Sequence, residues 1–143
     1  MREILFRGKR DDNGEWVVSN CIMQFHGVKF APRLWAIGDG WVEVIPETVG
    51  EFTGLTDKNG TEIFEGDIVR TLAPCYIDKY IKGVVEFGEY STSYQSSNVG
   101  YYVNWSLNKN IAIYCKINDI EIIGNIHDNP ELLTAAEADQ KAD

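Results

Sequence analysis

The sequence predicts a mainly β protein: an N-terminal β-hairpin subdomain packed on a small C-terminal barrel, with one short helix near the C-terminal end. Three observations predict it. Short strand-like runs alternate with turn residues at about the 8–12-residue spacing of barrels and sandwiches. Asn13-Gly14 and Asn59-Gly60 are turn dipeptides, because Asn and Gly tolerate positive φ at low steric cost. One helix start stands out, at Asp128-Asn129-Pro130-Glu131. A seam near residues 46–52 divides the chain into residues 1–50, 51–133 and a fraying Ala/Asp/Glu tail at 134–143.

The elements follow in order. Ile4, Leu5 and Phe6 begin a first strand over Arg2–Gly8. Asp11-Asp12-Asn13-Gly14 turns it into a return strand over Glu15–Met23, a hairpin of the Asn-Gly type. Residues 24–40, punctuated by Gly27, Pro32, Gly38 and Gly40, admit only short extended pieces. Trp41–Ile45 is a strand, Pro46–Gly50 a turn or single helical turn, and Phe52–Leu55 leads into the clearest local signals. Asp57-Lys58-Asn59-Gly60 is a tight turn, and Glu65-Gly66-Asp67 launches Ile68–Leu72 as a buried strand. Ala73–Lys82 reads as a loop around Pro74 and Gly83–Phe87 as a strong strand. Glu89–Gly100, with its Ser-rich composition, reads as a mobile loop. Tyr101–Trp105 alternates as a strand should. Asn108-Lys109-Asn110 turns the chain into a strand over Ile111–Ile117, and Ile120–Ile123 is a last short one. The helix start combines a capping Asp128, Pro at the first turn and an acid near the positive helix end.

The chain has 143 residues, 44% hydrophobic and 24% charged. That suits one domain, or one domain and a small subdomain, able to fold without disulfides or metal. The net charge of −9 repels phosphate backbones, so nucleic-acid binding is not expected. Arg2, Arg7, Lys9 and Arg10 form the one basic cluster. They are either charges on a solvated strand end or a contribution to nucleic-acid contact. Cys21, Cys75 and Cys115 are odd in number, widely spaced and not preceded by a signal peptide. They read as free thiols in a reducing cytoplasm. No apolar run approaches membrane-spanning length.

The chemistry is sparse. The two histidines, His26 and His127, have no neighbouring Cys ligands and no His-x-x-x-His, so no metal is expected. His26 reads as a surface loop residue and His127 as part of a turn or cap. Asp57-x-Asn59-x-Thr61 begins like a calcium loop. Glu62 stands where that loop requires Gly, and Ile68 where it requires a bidentate acid. Glu65 and Asp67 flank Gly66 in a turn, where Asp bonds local backbone. No phosphate-binding glycine loop or nucleophile elbow is present. Cys75 would need a histidine brought to it by the fold. No cofactor and no enzymatic activity are expected. The aromatic residues are the better lead: Tyr90, Tyr94, Tyr101 and Tyr102 flank or sit in the Ser-rich loop. They read either as a partner-binding platform or as core and merely exposed rings.

Pro46-Glu47-Thr48-Val49-Gly50-Glu51-Phe52-Thr53-Gly54-Leu55, Asp57-Lys58-Asn59-Gly60 and Glu65-Gly66-Asp67-Ile68-Val69 together resemble the YopX family of bacteriophage and prophage proteins. Gly83–Phe87, Ile122–Leu132 and Arg2–Gly8 extend the likeness over most of the chain. Residues 24–40 and 88–110 match least. The resemblance implies an SH3-like form for the C-terminal barrel and no assigned reaction. It implies structural roles for the shared residues: Gly54, Asn59, Gly60 and Gly66 in turns, Asp57 and Asp67 in turn hydrogen bonds, Ile68 and Val69 in the core. The expectation is a phage accessory protein in the bacterial cytoplasm that binds another protein or itself as a homo-oligomer. The alternatives are a nucleic-acid-associated protein or a DNA mimic acting on a host enzyme.

Overall fold

A computed structural model describes residues 3–24, 32–72, 80–91, 97–105 and 120–134. Its strands are β1 (Phe6–Lys9), β2 (Trp16–Ser19), β3 (Ile22–Met23), β4 (Arg33–Ala36), β5 (Gly40–Glu43), β6 (Gly50–Thr56), β7 (Glu62–Phe64), β8 (Asp67–Leu72), β9 (Tyr80–Ser91), β10 (Ser97–Trp105) and β11 (Glu121–Asn125). A single 3₁₀ turn at Pro46–Thr48 and one short helix, α1 (Glu131–Thr134), complete them. The protein is mainly β, as the turn spacing predicts. It divides into two compact units, Met1–Gly54 and Leu55–Asp143.

In the first unit β1 pairs antiparallel with β2 and with the start of β6. The Asn13-Gly14 turn closes β1 onto β2: Gly14 has φ +74°, its N–H donates to Arg10 O, and Asn13 Oδ1 accepts from Glu15 N. The expected return strand over Glu15–Met23 is instead broken. Cys21 N–H turns back to Ser19 Oγ at 3.0 Å, which ends β2, and Ile22–Met23 joins a different sheet of order β3-β4-β5. Val17, Leu34, Val42 and Val44 form the core, with Phe6, Ile22, Ala36 and Val49 packed against it. Gly8 lies close against this core: a Cβ there would stand 3.0 Å from Val44 Cβ.

In the second unit β10, β9, β8 and β11 form an antiparallel sheet in that order. Ile68 and Val69 are adjacent and both fully buried, so β8 is covered on both faces. Val69 joins Ile63, Ile81, Val85 and Ile120 in the core, with Val103 and Ile122 against it. Two loop expectations are corrected. Within Ala73–Lys82, strand β9 already begins at Tyr80, and within Glu89–Gly100 only 92–96 falls outside β9 and β10. Polar and glycine residues hold strand geometry because they pair across the hairpin: Gly88 opposite Gly100, Ser91 opposite Ser97. The strand expected over Ile111–Ile117, its Asn108–Asn110 turn, His26, Cys75 and Cys115 lie outside the described residues.

The helix α1 follows Asp128-Asn129-Pro130 directly. The first turn closes on the carbonyls of Asn129 and Pro130, which accept from Leu132 and Leu133 N–H. Asp128 belongs to the turn before it, where its N–H reaches Asn125 Oδ1 at 2.9 Å. No helix among the described residues is long and apolar enough to cross a membrane.

Candidate interaction site

Tyr101 and Tyr102 do not share one platform. Tyr101 and Tyr102 are neighbours on β10 and therefore face opposite sides of the hairpin. Tyr102 stands opposite Glu86, and its hydroxyl donates to Glu86 Oε1 at 2.8 Å. Asn104 Nδ2 donates to the other carboxylate oxygen at 3.3 Å. The bond to Glu86, aided by burial, pushes the Tyr102 hydroxyl pKa up. That side is a closed polar network. Tyr90 lies in β9, its backbone opposite Asn98, and Tyr94 is outside the described residues.

The other side is open. Tyr101 stands opposite Phe87, the rings edge to face at 4.9 Å and 66°. One step further out Val99 stands opposite Glu89. Phe87 is 55% and Val99 74% exposed. By the two-residue period these side chains continue the face that carries buried Val85 and partly buried Val103 nearer the core. One apolar stripe thus runs from the interior out along the hairpin. Sequence reasoning found Tyr101 but missed Phe87 and Val99. The signal lay in the period-2 pattern Val85, Phe87 and Val99, Tyr101, Val103.

The turn motif is a second constellation, and its work is internal. Asp57 is buried. Its Oδ1 accepts from Asn59 N and Thr61 N at 2.9 Å each, and its Oδ2 from Ile122 N at 3.0 Å. Burial opposes its ionisation, but the N–H groups of Ile122, Thr61 and Asn59 outweigh it and hold the pKa below the ordinary value. Gly60, at φ +82°, closes the turn by donating to Asp57 O. Asp67 Oδ2 accepts from Phe64 N, closing β7 onto β8 around Gly66 at φ +93°. Gly54 also has positive φ, +90°, but it lies inside β6 and not in a turn. Gly124 escaped the sequence reading: a Cβ there would come within 2.6 Å of Asn129 Oδ1, in the Asn125–Asn129 turn.

Three of the four basic-cluster residues, Arg7, Lys9 and Arg10, are engaged with their own chain, and Arg2 lies outside the described residues. Arg7 and Lys9 stand over the Trp16 ring at 4.9 and 5.9 Å, and Arg10 bonds both Asp12 and Asp39. Cys21 is an exposed free thiol. Among the described residues no group of three or more His, Cys, Asp or Glu side chains is placed to hold a metal. His127 is half-buried, its N–H bonded to Asn125 Oδ1.

The family model described as YopX protein matches residues 5–134. The chain belongs to the YopX family. Its structure is similar to the crystal structure of protein EF1440 from Enterococcus faecalis, with 23% identity and a TM-score of 0.50 over 93% of this chain and 99% of that one. That likeness is one of fold. No curated protein matches.

Proposed function

We propose that this YopX-family chain is a non-enzymatic phage or prophage accessory protein that works by binding a protein, another or itself, through the open face of the β9–β10 hairpin. One observation carries the reading. Phe87, Val99 and Tyr101 extend the core stripe into solvent, and a contiguous exposed apolar patch marks an interaction site. The second unit is read with it as an SH3-like barrel, supported by the β8-β9-β10 meander and the return of β11 to β8. Nothing favours the nucleic-acid alternative: Arg7, Lys9 and Arg10 are all occupied, on a chain of net charge −9.

The test compares the wild type with a Phe87→Ser/Val99→Ser double variant. Both are used as bait in nuclease-treated bacterial lysate, and both are measured by light scattering across micromolar concentrations. The expected result is one near-stoichiometric partner, or a concentration-dependent oligomer, present with the wild type and lost in the double variant. Identical behaviour of the two proteins overturns the assignment of this face.

A further inference from the structure

A second aromatic surface lies in the first unit, in the β4–β5 hairpin. Its register sets Trp35 opposite Trp41 and Arg33 opposite Glu43, while the alternate residues Leu34 and Val42 enter the core. The outward face, where an antiparallel sheet ordinarily places polar residues, therefore carries two indoles. The rings meet edge to face at 5.5 Å and 82°. Trp35 is 45% and Trp41 40% exposed, and Ile37, in the turn between the strands, is 98% exposed. A cross-strand aromatic pair stabilises a hairpin by itself. That leaves unexplained an isoleucine held almost entirely in solvent in the turn that joins two part-exposed tryptophans.

Trp16, in the same unit, shows what an indole face takes in this chain. Arg7 and Lys9 both lie over it. Among the described residues no cation lies over Trp35 or Trp41, and the two arginines at hand are committed. Arg33 pairs with Glu43 at 3.3 Å. Arg10 bonds Asp12 through Nε and Nη2 and Asp39 through Nη1, at 2.8 to 2.9 Å. Asp39 belongs to the same turn as Ile37, closed by its N–H on Ala36 O. Asp12 and Asp39, both more than half exposed, share a single guanidinium. Two carboxylates against one guanidinium leave one negative charge uncompensated in the turn that precedes Trp41 by two residues, while Arg33 and Glu43 cancel.

We propose that the β4–β5 hairpin is a docking site for an arginine-bearing extended segment of a partner protein. The planar guanidinium suits both halves of the site, stacking on indole and bonding carboxylate in one group. Its aliphatic stem gives Ile37 an apolar contact. Charge selects this occupant over a second copy of the chain or a nucleic acid, both of which bring more negative charge to a protein of net −9. The site is independent of the β9–β10 face.

The test titrates the full-length, ¹⁵N-labelled protein with a short peptide of alternating arginine and proline, with a Glu-Pro peptide as control. The readout is the indole N–H resonances of the four tryptophans, assigned by Trp→Phe variants. The resonances of Trp35 and Trp41 shift on titration and those of Trp16 and Trp105 do not. Trp35→Ala and Asp39→Asn each weaken binding by about fivefold. Glu62→Gln, which removes the same charge from β7, leaves it within about twofold. Should Trp35→Ala fail to fold, the wild-type resonances and Asp39→Asn decide. The proposal is overturned if no indole shifts, if all four shift alike, or if Glu62→Gln weakens binding as much as Asp39→Asn.

Discussion

Asp57 ties its own turn to β11 in the second unit. Three backbone N–H groups depend on its carboxylate, two from its own turn and one from β11. A buried donor left without an acceptor costs about 1–3 kcal/mol, so Asp57→Ala is expected to lose about 3 kcal/mol or more in chemical denaturation. Asp57→Asn, which keeps one oxygen, should lose less. The pH dependence has a definite sign. The folded pKa lies below the unfolded value of about 3.9, so the carboxylate's contribution is complete above that value and disappears as pH falls through the folded one. The stability gap between wild type and Asp57→Asn should stay constant from pH 7 to pH 5 and shrink below about pH 4. A gap unchanged down to pH 2 would show that ionisation plays no part.

Elements differ in how far local sequence determines them. The β1–β2 turn at Asn13-Gly14, the Asp57–Gly60 turn and the buried Ile68-Val69 pair were legible because each rests on a few adjacent residues with one steric answer. The extent of β9 and β10 was not. Ser91, Ser97, Gly88 and Gly100 have no strand propensity of their own, and the cross-strand partner supplies what they lack. Of the candidate site, Tyr101 was visible and its separation from Tyr102 follows from the strand parity of Tyr101–Trp105, but Val99 falls in the stretch read as a loop, where parity is erased. The Asp57–Ile122 bond was out of reach, since nothing in either segment names the other. Two glycines separate the costs of conformation and of space. Gly60→Ala meets no atom within 4 Å, so only the φ of +82° opposes it, at about 1–2 kcal/mol. Gly60→Asn should recover part of that. Gly124→Ala drives its Cβ into Asn129 Oδ1 and should cost about 1–3 kcal/mol by overpacking. A Gly124→Ala/Asn129→Ala double variant should lose less than the sum of the two singles in thermal denaturation.

For the whole molecule, charge decides behaviour. At net −9 and a sequence pI near 4.6, like charges keep copies apart at neutral pH. Turbidity against pH should peak near pH 4.6, where that repulsion vanishes and the exposed stripes at Phe87/Val99 and Trp35/Trp41/Ile37 can meet. Far-UV circular dichroism of the supernatant should remain native there, because Asp57 is still ionised. Loss of the β signal before turbidity rises would make acid unfolding, and not loss of charge, the cause. The YopX family match runs through both compact units, so both aromatic stripes fall within the matched residues.

The bond from Ile122 N–H to Asp57 also sets a timetable for biosynthesis. The two residues are 65 positions apart, so at about 5–20 residues per second the ribosome supplies the donor roughly 3–13 s after the acceptor. Through that interval the Asp57–Gly60 turn can form, but one carboxylate oxygen has no partner from β11, and Ile120 O has not arrived to receive Lys58 N–H. A nascent chain stalled before residue 120 holds a completed turn and an open seam. Closure of this seam awaits the arrival of β11.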